Sequence, residues 1–421
     1  MKAARPVLIL SSYLVLVFAL SFDTPAVARG GGRAQFGKAL DGLNMDERKV
    51  FRDAKEEFEA AEDAGGGLGP IFNEVSCVAC HSVPAVGGSS PISEPRAQRV
   101  DGGTHFEFPG GSLFQVNAIR PDCQEVIPSD ANARTLRQTT PLFGSGLIEA
   151  IPDFQIEAYR ALQHRTHPAQ EGRVHRVVDV ASAATRVGRF GWKAQQATLL
   201  AFSADAYVNE MGITSRLFPN ENAPNGDRVK LAACDSVADP EDTEDDIVAF
   251  ADFMRMLAPP PRDYQWERDR DDDQAYDRWR HASGGQGRGQ NGPRRREPSQ
   301  LQRGEMIFES VGCAVCHRAG YTTSTRIAAL DRQRVDAYSD FLLHDVGTGD
   351  GIIQGDALGN ELRTAPLWGI SESAPYLHDG SASTIESAIE HHGNQAAAAR
   401  EAYGRLSRAE SEAVLAFLDS I

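Results

Sequence analysis

The sequence predicts a mainly α protein made of two related halves with an unstructured insertion between them. Three observations carry this prediction. A C-x-x-C-H motif occurs twice, at residues 77–81 and 313–317. Segments with a helical apolar period lie on either side of the motifs. Residues 258–300 contain no Val, Ile, Leu, Met or Phe, too little apolar surface to offset the entropy of ordering.

Composition narrows the function. The chain has 421 residues, 41% hydrophobic and 24% charged, ordinary values for a globular protein of two or three domains. Lys and Arg number 43 against 59 Asp and Glu, a net charge of −16. Nucleic-acid binding needs a basic face, and attraction to anionic lipid needs basic clusters. Small molecules and basic proteins are the expected partners.

The N-terminus reads as a signal peptide, residues 1–28. Lys2 and Arg5 precede an uncharged apolar run from Val7 to Phe22, and Ala26-Val27-Ala28 supplies the small-residue cleavage pattern. Cleavage after Ala28 leaves no membrane span and places the mature protein outside the cytoplasm, in the periplasm of a Gram-negative source.

Four of the six cysteines fall in the repeated motif, as Cys77, Cys80 and His81, then Cys313, Cys316 and His317. C-x-x-C-H is the attachment signature of c-type haem. Two thiols form thioethers with the porphyrin, and the next residue offers its imidazole to the iron. Two covalently bound haems are expected, with His81 and His317 as iron ligands. Zinc would not require His in the fifth place twice, and a thioredoxin-like site would not require it at all. Cys123 and Cys234 either pair in an oxidising compartment or stay as buried thiols.

In chain order, residues 34–43 read as a tail. Residues 45–62 read as an amphipathic helix carrying Val50, Phe51, Ala54, Phe58 and Ala61, stopped by Gly65-Gly66-Gly67. Residues 83–130, rich in Gly, Pro and Ser, read as loops with room for short strands. Helices are expected at 194–202 and at 244–257, the second capped by Thr243 and ended by Pro259-Pro260-Pro261. These delimit an N-terminal cytochrome c-like domain at 34–257. A disordered insertion at 258–300 and a C-terminal cytochrome c-like domain at 301–421 follow, the latter closed by a helix at 408–421.

The halves also share an order of motifs. Arg137 to Gly144, RQTTPLFG, parallels Arg363 to Gly369, RTAPLWG. Phe190 to Leu199 parallels Tyr376 to Ile385, with Thr198 opposite Thr384 and Trp192 opposite His378. The same alignment sets Ala206 opposite His392. An imidazole in one half therefore answers to a methyl group in the other, which predicts one saturated iron and one open iron.

These residues resemble the di-haem oxidoreductases, a group related to bacterial dihaem cytochrome c peroxidases and to the dihaem enzyme that matures methylamine dehydrogenase. The resemblance is carried by LGPIFN at 68–73, PLFGSGLIEAIPD at 141–153, the stretch 188–219, and YLHDGSASTIESAIEHHG at 376–393. It implies that His392 stands where the peroxidases place the Met ligand of the C-terminal haem. It implies that Trp192 lies between the haems, and that Glu210 assists peroxide cleavage at the N-terminal haem. The Gln that accompanies that Glu in the relatives has no match here, where Leu200 stands. The expected activity is peroxidase-like, with peroxide as oxidant and a small redox protein as electron donor. A non-catalytic dihaem electron carrier is the alternative. His105, His164, His167, His175 and Met211 are secondary candidates for ligands of the first iron. His378 and Asp379 read as a turn on the second haem, with His378 hydrogen-bonded.

Overall fold

The computed structural model describes residues 35–262 and 298–421, which belong to one compact unit. The stretch read as a signal peptide and most of the stretch read as an insertion lie outside the described residues. Helices dominate: α1 (Met45–Glu59), α2 (Asp153–Thr166), α3 (Leu199–Ala206), α4 (Asp245–Met256), α5 (Gln300–Ser310), α6 (Ile385–Glu390) and α7 (Arg408–Ser420). Among the described residues no helix is long and apolar enough to cross a membrane.

Helix α1 starts at a reciprocal cap. The Asn44 side chain accepts from the Asp46 and Glu47 N–H groups, and the Glu47 side chain accepts from the Asn44 N–H. It buries Phe51, Ala54 and Phe58. Val50 and Ala61 were expected on that face but are exposed, so the stripe is narrower than the period suggests. The stripe packs on α4, with Phe58 and Phe253 ring centres 4.6 Å apart. Helix α4 is not capped by Thr243. Glu244 takes a left-handed conformation (φ 85°), and the Asp242 carboxylate accepts from the Glu244 and Asp246 N–H groups at 2.9 and 3.3 Å. A carboxylate at a helix N-terminus also meets the favourable end of the helix dipole.

Other expectations are corrected. The stretch at 35–43 is no tail: Leu40 and Leu43 are buried, and Ala39 pairs with Leu257. The stretch 83–130 is mainly loop with short strands, as expected, and its β1 (Ser93–Asp101) joins β2 (Thr104–Phe106) and the later β3 (Ala133–Gln138) in an antiparallel sheet of order β2-β1-β3. The helix expected from residue 194 starts five residues later. Residues 190–196 instead form a tight turn closed by a Phe190–Gln196 pair. Of the insertion, residues 258–262 and 298–300 are described and ordered. Arg262 donates to the Asp336 carbonyl at 2.6 Å, and Ser299 caps α5 in a reciprocal pair with Gln302.

The repeated order of motifs appears in the backbone. Thr198 caps α3 by accepting from the Ala201 N–H, and Thr384 caps α6 by accepting from the Ser387 N–H. The Phe190–Gln196 turn has its counterpart in Tyr376–Ala382. The two halves also share apolar packing: one core contains Phe51, Ile156, Leu199 and Phe253 together with Tyr321, Leu330, Phe341 and Trp368. A smaller core lies in the second half, where α5 meets α7 through Phe308 and Phe417. The helices touch so closely at Gly304 that a Cβ there would lie 2.0 Å from the Ala413 carbonyl oxygen.

Cys123 and Cys234, both buried, are joined as a disulfide across 111 residues of sequence. A cross-link closing so long a loop restricts the unfolded chain strongly. Replacing both cysteines with Ala is expected to lower stability by about 2–5 kcal/mol. Chemical denaturation followed by circular dichroism checks this; an unchanged midpoint would contradict it.

Candidate functional site

Each C-x-x-C-H motif opens onto a cavity. The first, of about 350 Å³, is lined by Cys77, Cys80, His81, Glu94, Arg96, Trp192, Ala206 and Glu210. A short helix, Cys77–Cys80, sets both sulfurs and His81 on one wall. The His81 Nδ1–H donates to the Gly88 carbonyl at 3.0 Å, which puts the lone pair of the neutral ring on Nε2. Burial lowers the imidazole to about 4, so it is neutral, as a metal ligand must be. Phe58 of α1 stands against this ring, with centres 6.1 Å apart.

The wall also carries a carboxyl pair. Glu210 sits on a single wide helical turn, Tyr207–Met211, that continues α3. The Asn73 amide donates to its Oε2 at 2.6 Å, and its main-chain carbonyl accepts from the Asn73 N–H at 2.7 Å. Burial, then the adjoining Glu94 carboxyl to which it is hydrogen-bonded, hold Glu210 well above the usual range. Burial also acts upward on Glu94, but the Arg96 guanidinium, 2.7 Å away, outweighs it and holds Glu94 below the usual range. Glu210 is therefore the protonated member and Glu94 the charged one. Nearby, Asp205 is pushed up by burial to about 6.

The second cavity, of about 290 Å³, is lined by Cys313, Cys316, His317, His344, Arg363, His378 and His392. The His317 Nδ1–H donates to the Tyr338 carbonyl at 3.0 Å, repeating the arrangement at His81. Burial, aided by His392, lowers His317 to about 4. His392 donates its Nδ1–H to the Ala388 carbonyl at 2.8 Å and lies with its ring centre 6.4 Å from that of His317. With metal–imidazole bonds of about 2.0–2.1 Å, and each nitrogen about 1 Å from its ring centre, two imidazoles on opposite sides of one metal would stand roughly 6–6.5 Å apart. The spacing fits a single iron between them.

The donors of each motif are spread too widely for a lone ion; the donors that do converge beside the second motif are Cys316, Asp340 and His344. Among the described residues, the donor atoms of Cys77, Cys80 and His81 do not converge within coordination distance, nor do those of Cys313, Cys316 and His317. Cys and His side chains spread along the walls of large cavities suit a broad cofactor held at its edge and at its centre.

Trp192 lines both cavities. Its indole N–H donates to the Gln138 carbonyl at 2.8 Å, and its ring meets His378 edge-on at 6.2 Å. The next residue, Lys193, is fully buried. Its ammonium donates to the Leu358 and Glu361 carbonyls at 2.8 and 2.6 Å and pairs with Asp350 at 3.0 Å. Asp350 also takes the buried guanidinium of Arg137 at 2.7 Å.

The structure thus gathers Cys77, Cys80, His81, Glu210 and Trp192 at one cavity, and Cys313, Cys316, His317, His392 and Trp192 at the other. The remaining candidates stand apart. His105, His164, His167 and His175 do not line the first cavity, and Met211 does. His378 lines the second, but neither ring nitrogen has the hydrogen bond expected of it. Sequence reasoning missed Glu94, Arg96, Asp205, Asn73 and His344. His344 is buried 2.9 Å from Asp340, with its Nδ1 3.8 Å from the Cys316 sulfur. Although burial acts downward, Asp340 raises its pKa well above the usual value, so it carries charge.

Comparisons with known proteins add an independent line. No curated protein matches the chain. Among solved structures, a hydrazine synthase of Kuenenia stuttgartiensis, pressurised with xenon, has a TM-score of 0.39 at 14% identity, over 94% of this chain and 99% of its own. A MauG-like protein associated with microbial copper homeostasis has a TM-score of 0.36 at 15% identity, over 93% of this chain and 95% of its own. Residues 124–240 and 290–421 match the family described as "Di-haem oxidoreductase, putative peroxidase". The matched segments exceed half the chain and include the second C-x-x-C-H motif. The chain belongs to this di-haem oxidoreductase family.

Proposed function

We propose that the protein is a periplasmic c-type dihaem oxidoreductase that reduces peroxide, with an open catalytic haem in the first cavity and an electron-transfer haem in the second. Cys77 and Cys80 attach the first haem, with His81 on its iron; Cys313 and Cys316 attach the second, held by His317 and His392. Haem iron supplies one-electron chemistry and, where a coordination position is free, a place for an oxidant. The observation that carries the reading is the asymmetry between repeats: His392 faces its cavity, and Ala206 lines the other at the equivalent place.

The chain's own groups suit this reaction. Reducing peroxide to two waters takes two electrons and two protons. Glu210, protonated at the cavity wall, holds one proton, and Glu94 beside it can take up or return that proton. Asn73 fixes the Glu210 carboxyl, the part an amide must play beside a catalytic acid. Trp192 lines the wall common to both cavities and offers an aromatic route for an electron. A small redox protein is the proposed donor.

Two experiments test this. Glu210→Gln keeps the shape but removes the proton, and is expected to slow peroxide turnover about 10²–10⁴-fold with both haems still bound. Trp192→Phe should spare peroxide binding and slow electron delivery. Stopped-flow mixing with peroxide separates these effects; unchanged turnover in Glu210→Gln would refute the role of the pair.

The ligand set has its own test. His392→Ala should convert one haem from low-spin to high-spin. His391, exposed and bonded to the Ser387 carbonyl at 2.7 Å, should be replaceable by Ala without effect. Electron paramagnetic resonance reads the difference, and a low-spin signal that survives His392→Ala would place the ligand elsewhere.

A further inference from the structure

Away from both cavities, Glu221, Asp239 and Glu241 bring one carboxylate oxygen each within 4.8 Å of one another. Acidic clusters are common on surfaces and mean little alone. This one contains an anomaly: Glu221 is only 3% exposed, yet neither of its carboxylate oxygens makes a hydrogen bond of normal geometry. A buried carboxylate without partners costs several kcal/mol and is not kept without compensation. Among the described residues no cation pairs with it. Arg228 donates to the Glu221 main-chain carbonyl at 3.1 Å and acts electrostatically on Asp239.

We infer that Glu221, Asp239 and Glu241 form a calcium site. The donor set is all oxygen and triply negative, the chemistry of a hard divalent cation. Calcium–oxygen bonds are about 2.3–2.6 Å, so oxygens across one ion stand about 4.6–5.2 Å apart at most, in keeping with the observed spread. Calcium accepts irregular carboxylate sets completed by water, whereas magnesium demands a near-ideal octahedron. Asp239 is exposed and gives the ion a way in.

The site joins two segments. Glu241 accepts from the Thr214 N–H and hydroxyl at 2.9 and 2.5 Å, while the Asn222 amide donates to the Val208 carbonyl at 2.9 Å. An ion here fastens 239–241 to 214–222, the chain that leaves the turn bearing Glu210.

The test uses the dihaem holoprotein after chelation. Added calcium should bind saturably at one site by isothermal calorimetry and raise the melting temperature; magnesium at the same concentration should not. Glu221→Gln and Asp239→Asn should each weaken binding at least tenfold and abolish the thermal shift. In chelator, Glu221→Gln should melt at or above the wild type, because it removes a buried, unpartnered carboxyl crowded by two others, which also shows that the variant folds. No calcium binding by the wild type, an equal response to magnesium, or unchanged affinity in both variants would each overturn the site.

Discussion

The molecule depends on where one tryptophan is held, and buried charge holds it. The turn at 190–196 carries Trp192 and Lys193 in succession. Lys193 is pinned by Asp350 and by carbonyls of 358–361, all from the second half, and Arg137 of the first half binds the same Asp350. The Arg363 main-chain N–H donates to the Trp192 carbonyl at 2.8 Å, and its guanidinium donates to the Gly191 carbonyl at the same distance. A buried ion pair is costly to form, but removing one partner typically costs about 3–5 kcal/mol, since the other charge is left alone. The turn therefore has one place to sit, and the indole becomes part of the wall that the two cavities share.

Around that wall the fold repeats its parts and varies their chemistry. Thr198 and Thr384 start equivalent helices, and Gly144 and Gly369 make equivalent left-handed turns at φ 71° and 69°. Equivalent scaffolds then present different groups: an imidazole at His392, a methyl at Ala206, and a carboxyl pair at Glu94 and Glu210 in the first cavity alone. The same backbone presents a pair of imidazoles in one cavity and a pair of carboxyls in the other.

Much of this was legible in the sequence, and the boundary of legibility has a physical cause. The C-x-x-C-H motifs, α7 and the repeat announce themselves through local spacing. His392 and Glu210 emerge from the repeat and the family resemblance. Glu94 and Arg96 do not, because β1 reads SEPRAQRVD, without the apolar alternation that marks a strand. Asn73 and Glu210 are 137 residues apart, and Lys193 meets Asp350 across the repeat; only the folded chain joins them. The alternation of α1 overstated its buried face because Val50 lies at the edge of the stripe. Residues 194–196 of the turn read as helix because Ala and Gln are helix formers, but Ala194 stands at φ 51°.

The central claim is that two structurally equivalent haem sites differ in whether the iron is closed. The optical and paramagnetic spectrum of the oxidised protein, before and after cyanide, addresses it most directly. One low-spin component indifferent to cyanide and one high-spin component that cyanide converts are expected. Two low-spin components, both indifferent to cyanide, would contradict it and leave an electron carrier in place of an enzyme.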